Sequence, residues 1–283
     1  MNEKSEILYH YCSVDTFFNI IKNYKLWLSD IEKSNDYQEC IFCREIVNER
    51  IQNYLQNDNY SLEAWKSWYS KGVETSYRNR YFGVCFSESR DQLSQWRGYA
   101  QNGKGLAIGF DKKIFEELNL ISDYYIAFGK VRYNNVEDYI NEIVDDNIKK
   151  FEYKGVGHIA LEFSQNYRMK FPFVKNLGFE EEKEWRVVVC SPIGPYNIMG
   201  SDKISFSKIK YRSSDNKLIP YIEMSFEKIK QDIIKEIWIG PKSEVEIKDV
   251  INFLDYCGYY EKSEIGYNSD IPINIKKSST PYR

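Results

Sequence analysis

The chain has 283 residues, 42% of them hydrophobic, and a net charge of −3, which gives apolar content for one sizeable core and excludes binding driven by overall basicity. No run approaches the 18 apolar residues of a membrane span, and the N-terminus has no signal-peptide pattern, so the expected location is the reducing cytoplasm. Of six scattered cysteines only Cys40 and Cys43 are close, and with His10 and His158 the only histidines a structural zinc lacks a ligand set.

In chain order, Ile7 to Tyr11 reads as a strand containing His10. Ser13 fits a helix N-cap, with Asp15 in the first turn and Val14, Phe17, Phe18 and Ile21 at helical spacing. Lys25 to Ser29 is the next strand. Residues 36–76 form a helical insertion, carried by Ile41, Phe42, Ile46, Val47, Ile51 and Leu55 and then by a second piece with Trp65 and Trp68. Arg80 to Ser87 reads as a buried strand, and Asp91 as the cap of a short helix holding Leu93, Trp96 and Tyr99. Gly103-Lys104-Gly105 is a tight loop lacking the continuation of a dinucleotide-binding motif. Leu106 to Phe110 is a strand, with Asp111 as the cap of the next element, and Tyr124 to Tyr133 is another strand.

A second helical segment covers 136–170, broken at Gly155 and Gly157, where His158 is a packing or surface residue. Ser191 to Gly200 is loop-like, Lys217–Met224 and Ile234–Ile239 are strands, and Pro241 sits in a turn. Ser243 to Cys257 has helical spacing, and the tail from Ile271 is extended. Strands and helices mix without βαβ alternation, which predicts a single α+β domain over 1–283.

The stretch with most chemical content is Phe179-Glu180-Glu181-Glu182-Lys183-Glu184-Trp185-Arg186, running into Val187-Val188-Val189. A strand starting near Glu182 places Glu182, Glu184 and Arg186 on one face and Trp185, Val187 and Val189 on the other. Two carboxylates about 7 Å apart then share a face with a guanidinium, at a rise of ~3.3 Å per residue. Read from residues alone, this is either an acidic turn entering a strand, with Arg186 neutralising one carboxylate, or a catalytic Glu-x-Glu.

Several phrases resemble a widespread bacterial family of proteins of unknown function. They are Leu8-Tyr9-His10-Tyr11, Leu26-Trp27-Leu28-Ser29-Asp30, Ser94-Gln95-Trp96-Arg97-Gly98-Tyr99-Ala100, Lys175 with Phe179, Glu182 to Arg186, Gly240-Pro241-Lys242 and Pro281-Tyr282-Arg283. The opening strand, helix and strand around His10 also resemble the start of ADP-ribosyltransferase-like enzymes, including bacterial toxins. That resemblance implies a split mixed or antiparallel sheet flanked by helices, with NAD in the cleft between its halves. It implies Glu184 as catalytic carboxylate with Glu182 as partner, and His10, beside Tyr11, holding NAD from the first strand. His10 and Glu184 are then expected to face one cleft. The middle-strand element stays open between Ser87, Trp96 and Tyr99, and Arg97, Lys175 or Arg186 would neutralise the diphosphate.

Transfer of ADP-ribose passes through an oxocarbenium-like state that an anion beside the sugar stabilises. A second carboxylate orients the nucleophile or takes its proton. The acceptor is nucleic acid, protein or a small molecule, in a toxin or anti-phage setting. With water as acceptor the same site is an NAD glycohydrolase. An inverting glycoside hydrolase fits the carboxylate spacing less well, because its acid and base normally come from different elements. The non-enzymatic alternative is a nucleic-acid-binding or interaction protein, in which aromatic rings stack bases and the acidic pair is a solvated face.

Overall fold

The computed structural model describes residues 6–33, 42–43, 45–50, 52–53, 79–120, 125–154, 169–192, 198, 200–214, 216–260, 262–263, 266–267 and 273–282. Strand β1 (Ile7–Cys12) leads into a helix over Val14–Asn23, whose N-cap is Ser13: its hydroxyl accepts from the Thr16 N–H at 3.0 Å. The helix ends at Tyr24 in the left-handed region, and β2 (Lys25–Asp30) comes next. After the insertion come β3 (Asn79–Ser87), a helix over Leu93–Tyr99, β4 (Leu106–Asp111), a short helix over Lys112–Glu116, and β5 (Ile126–Lys130). The long Val136–Lys154 helix precedes β6 (Glu184–Pro192), β7 (Ser205–Phe206), β8 (Lys210–Ser214) and β9 (Lys217–Ser225). Then come β10 (Ile234–Ile239), a helix over Ile247–Tyr256, the two-stranded ribbon β11 (Lys262–Ser263) and β12 (Gly266–Tyr267), and β13 (Asn274–Lys277).

One mixed sheet runs β13-β10-β4-β1-β3-β2-β9-β7, with β6 and β5 continuing from β3 and β8 attached to β9. Its pairings are antiparallel except β10–β13, which is parallel. Strand β3 organises it. One edge of β3 is paired along its whole length with β6, from Asn79↔Pro192 to Ser87↔Glu184. The other edge is shared: β1 pairs at Tyr9↔Ser87, while β2 pairs at Ser29↔Gly83 and Asp30↔Phe82. Between those two pairings, at Val84 to Phe86, β1 and β2 part and the sheet divides.

Alternation sorts the side chains onto two faces. Leu8 and Cys12 of β1, Phe82, Val84 and Phe86 of β3, Ile108 and Phe110 of β4, and Val187 and Val189 of β6 form the main core. Phe17, Ile20 and Ile21 of the first helix and Val250 and Leu254 of the Ile247–Tyr256 helix cover it. Burying a Phe or Leu fully is worth about 1.5–3 kcal/mol each, so this face dominates the stability of the sheet. The opposite face carries Tyr9, Tyr11, Ala107 and Trp238 beneath Trp96 and Ala100, and, further along, Val188 and Cys190 with Ile31 and Met169.

The described part of the predicted insertion, residues 42–43, 45–50 and 52–53, is helical. Cys43, Ile46 and Val47 pack on Ile140, Ile143 and Val144 of the Val136–Lys154 helix, and Arg50 forks onto Asp145 at 2.9 and 2.7 Å. The two helical segments, distant in sequence, thus form one satellite cluster. Cys40, Trp65, Trp68 and His158 lie outside the described residues. No helix among the described residues is long and apolar enough to cross a membrane.

Several expectations change, and one is that Ser191 opens a loop: β6 runs on through Pro192. Asp91 does not cap the Leu93–Tyr99 helix; the N-cap is Gln92, without a side-chain bond. The Asp91 carboxylate instead accepts from Trp96 Nε1 at 2.7 Å and Ser278 Oγ at 2.5 Å, tying the helix to the C-terminal tail. The strand that carries Arg186 starts at Glu184, not near Glu182. Asn176 caps a 3-10 turn over Leu177–Glu182, and Lys183 ends it with φ 44°, so the acidic run is helical up to the residue before that left-handed turn.

Candidate functional site

The site is assembled by that junction. The 3-10 turn delivers Glu182 to the end of the sheet, where its carbonyl accepts from Ser87 Oγ at 2.7 Å. Lys183 turns the chain through the left-handed region and its carbonyl accepts from the Glu88 N–H at 3.1 Å. Glu184 then opens β6 opposite Ser87. Directly paired antiparallel residues face the same side, so Tyr9, Ser87 and Glu184 form one row across β1, β3 and β6.

Arg186, two residues on and on the same face, bends back over Glu184. Its Nε and Nη2 donate to the two carboxylate oxygens at 2.7 and 2.9 Å, and its Nη1 donates to the Pro172 carbonyl at 2.6 Å. Lys175 enters from the segment after Phe173, where the backbone is held to Arg132. Its ammonium donates to Glu182 at 2.7 Å and lies 3.3 Å from Glu184, so the two carboxylates meet at one cation. Tyr99 donates its hydroxyl to Glu182 at 2.9 Å, and the Tyr133 hydroxyl accepts from the Glu184 N–H at 2.9 Å. Lys175, Glu182, Glu184 and Arg186 are all buried. Two anions and two cations cancel.

Burial pushes the Glu184 carboxyl upward, but the Arg186 guanidinium and then the Lys175 ammonium more than reverse this and hold it at about 2. Burial, reinforced by the Glu182 charge and opposed by Lys175, raises the Tyr99 phenol, which therefore stays a hydrogen-bond donor at neutral pH. Burial, with the Glu184 charge adding, likewise raises Tyr133. The cluster reaches solvent at two places. Tyr99 is 49% exposed, and the exposed Cys85 thiol, hydrogen-bonded to Glu184, sits on β3 where β1 and β2 part.

The structure therefore gathers Glu182, Glu184, Ser87, Tyr99, Lys175 and Arg186. Of the three middle-strand candidates, Ser87 lies in register with Glu184; Trp96 is fully buried against Tyr11, their rings 4.8 Å apart edge to face. Tyr11 donates to the Ser89 carbonyl at 2.7 Å and is a packing residue. Arg97 lies two positions before Tyr99 on a helix, pointing about 200° away around its axis; it contacts Tyr282 instead.

His10 is the main correction. Its neighbour Tyr9 shares the Glu184 face, so alternation turns His10 to the other one, where its ring meets Phe86 edge-on at 6.0 Å. Half-buried, it reaches the gap from that side, with Nδ1 2.9 Å from the Cys85 carbonyl oxygen. Burial lowers its pKa and the carbonyl bond only partly offsets this, which favours the neutral ring. His10 and Glu184 do not face one side of the sheet. Lys175 and Arg186 are likewise engaged with carboxylates rather than open to a diphosphate. Tyr133 and Cys85 were not legible as site residues: each sits in an ordinary strand-like run, and only the three-dimensional register brings them to Glu184.

Among the described residues no group of three or more His, Cys, Asp or Glu is placed to hold a metal ion. No curated protein and no solved structure matches the chain. Residues 95–187 match one family model, and this stretch contains Tyr99, Tyr133, Lys175, Glu182, Glu184 and Arg186 and ends one residue past the last of them; the chain thus contains a domain described as a protein of unknown function (DUF2971).

Proposed function

We propose that the chain is an enzyme that transfers ADP-ribose from NAD, with the Glu182–Glu184 cluster as its reactive side. The observation that carries the reading is the row Tyr9, Ser87, Glu184 across adjacent strands β1, β3 and β6, beside the point where the sheet divides. It keeps the order of first strand, middle strand and carboxylate strand that the ADP-ribosyltransferase resemblance implies but not its histidine: His10 lies on the other face, which counts against that resemblance, and Tyr9 gives its hydroxyl to Glu236, so the reading rests on the carboxylates beside Ser87.

In this reading the two carboxylates do different work. Glu184 is ionised throughout the neutral range and held rigid by Arg186, so its carboxylate is preorganised to accept a hydrogen bond from a sugar hydroxyl as positive charge develops on the ring. Glu182 is fixed by Lys175 and Tyr99 on the side that reaches solvent, and it orients the acceptor and takes its proton. Water in the acceptor position gives hydrolysis at the same site.

The test is incubation with labelled NAD and bacterial lysate. Label transferred to macromolecule by the wild type and by His10→Ala, but not by Glu182→Gln, supports the reading; free ADP-ribose with the same pattern supports hydrolysis. NAD should also slow labelling of the Cys85 thiol, followed in a Cys40→Ser background. No NAD consumption together with unprotected Cys85 rejects it. One observation favours a second, structural reading: every charge in the cluster is compensated by another. Under it, Glu182→Gln changes melting behaviour while NAD is neither bound nor consumed.

A further inference from the structure

A second constellation lies on the same side of the sheet as Tyr9, over its β4-β10-β13 end. The 100–105 loop and the 240–242 turn are laced together: the Gly240 N–H donates to the Gly105 carbonyl at 3.0 Å and the Lys242 N–H to the Gly103 carbonyl at 2.9 Å. The approach is too close for side chains. A Cβ on Gly240 would stand 2.4 Å from the Gly103 oxygen, and one on Gly105 would stand 2.0 Å from the Cys12 oxygen. The glycines of Gly103-Lys104-Gly105 thus serve backbone approach, and they bring Lys242 beside the C-terminal tail.

There Tyr282 gathers cations. Arg97 lies 5.2 Å and Lys242 4.0 Å from its ring centroid, Arg97 Nε donates to its hydroxyl at 3.3 Å, and that hydroxyl bonds Asn102. Along the tail, Trp238 repeats the pattern, with Arg90 and Lys276 each 5.5 Å from its ring. Among the described residues, none of these four cations is ion-paired with a carboxylate. The two acids between them hydrogen-bond to neutral donors, Asp91 to Trp96 and the tail hydroxyls and Glu236 to Trp238 Nε1 and the Tyr9 hydroxyl, so each stays a carboxylate without a cation of its own among the described residues. Lys104 adds an exposed cation on the loop.

Two like charges held at one ring repel, and with Lys104 the five cations around the two rings outnumber the two carboxylates between them, Asp91 and Glu236, which leaves the surface locally positive on a chain of net charge −3. We infer that this surface, Arg90, Arg97, Lys242 and Lys276 around Trp238 and Tyr282, binds the phosphate backbone of nucleic acid. The rings are covered by cations rather than offered for stacking, so the contact is to phosphates and is independent of sequence. The surface is separate from the carboxylate cluster, and its test involves no NAD.

The experiment is fluorescence anisotropy with labelled mixed-sequence duplex and single-stranded oligonucleotides, on the full chain, from 25 to about 200 mM salt. Binding should weaken with salt. The double variant Arg97→Ala/Lys242→Ala should bind at least tenfold more weakly and lower the log–log salt slope by up to about 1.8 on duplex, at ~0.9 for each phosphate left unneutralised. Lys203→Ala, a surface cation that pairs with Glu117, is the control and should change neither. No binding at the lowest salt, or equal weakening in the double variant and the control, overturns the assignment.

Discussion

Glu184→Gln isolates the electrostatics of the cluster from its shape. Glu184 is 5% exposed, and its side chain accepts two hydrogen bonds from Arg186, with Lys175 adjacent. The amide keeps the volume but removes the anion, leaving two buried cations against Glu182 alone. Breaking a buried pair in this way costs about 3–5 kcal/mol. A second route gives a similar figure: a carboxyl held at about 2 against its ordinary 4.5 contributes about 3 kcal/mol at neutral pH. Because the folded-state value is the depressed one, that stability is present in full above the unfolded value and is lost as the pH falls from about 4.5 toward 2. Urea denaturation of wild type and variant should therefore differ by ~3–5 kcal/mol at pH 7 and by about 1 kcal/mol less at pH 3.5. A difference below about 1 kcal/mol at pH 7, or one that does not shrink in acid, would refute the account of Glu184 as a charge held by Arg186.

Two further outcomes rest on backbone geometry. Lys183 adopts φ 44° and ψ 52° between the two carboxylates, a conformation costing a non-glycine residue about 1 kcal/mol. Lys183→Gly should raise the thermal midpoint by a few degrees, and a lower midpoint would show that the lysine side chain outweighs the strain. Gly105→Ala places a methyl group 2.0 Å from the Cys12 oxygen and should cost more than about 3 kcal/mol, read as loss of soluble protein or of a cooperative melt.

Much of the sheet is legible locally because its signals are local. Ser13 before Val14, Phe17 and Ile21, and the alternation in Lys25 to Ser29, predict elements that form as read, and Val187-Val188-Val189 lies in a strand as expected. The start of β6 is misread because Glu182 and Glu184 have the right spacing for one strand face. The left-handed Lys183 between them leaves no mark in a sequence where only glycine would advertise it. Lys175, Glu182, Glu184 and Arg186 could be named as candidates, but their mutual neutralisation depends on a chain segment folding back from Phe173. His10 shows the limit most plainly. One residue of register decides its face, and that register is set by a partner strand some 75 residues away. Asp91 satisfied a cap's local pattern, yet the tail hydroxyls nearly two hundred residues on take its oxygens.

The β13 strand has a consequence for assembly. It lies parallel on β10 and forms one outer margin of the sheet. Without it, Ile237 and Ile239 would stand in an unprotected strand whose free N–H and C=O groups are a template for pairing with another copy. β13 moves that margin onto Asn274-Ile275-Lys276-Lys277, where Lys276 and Lys277 are exposed and their charge opposes edge-to-edge addition. During synthesis this cover is the last of the sheet's described strands to emerge, so the nascent sheet remains open to self-association until β13 is in place.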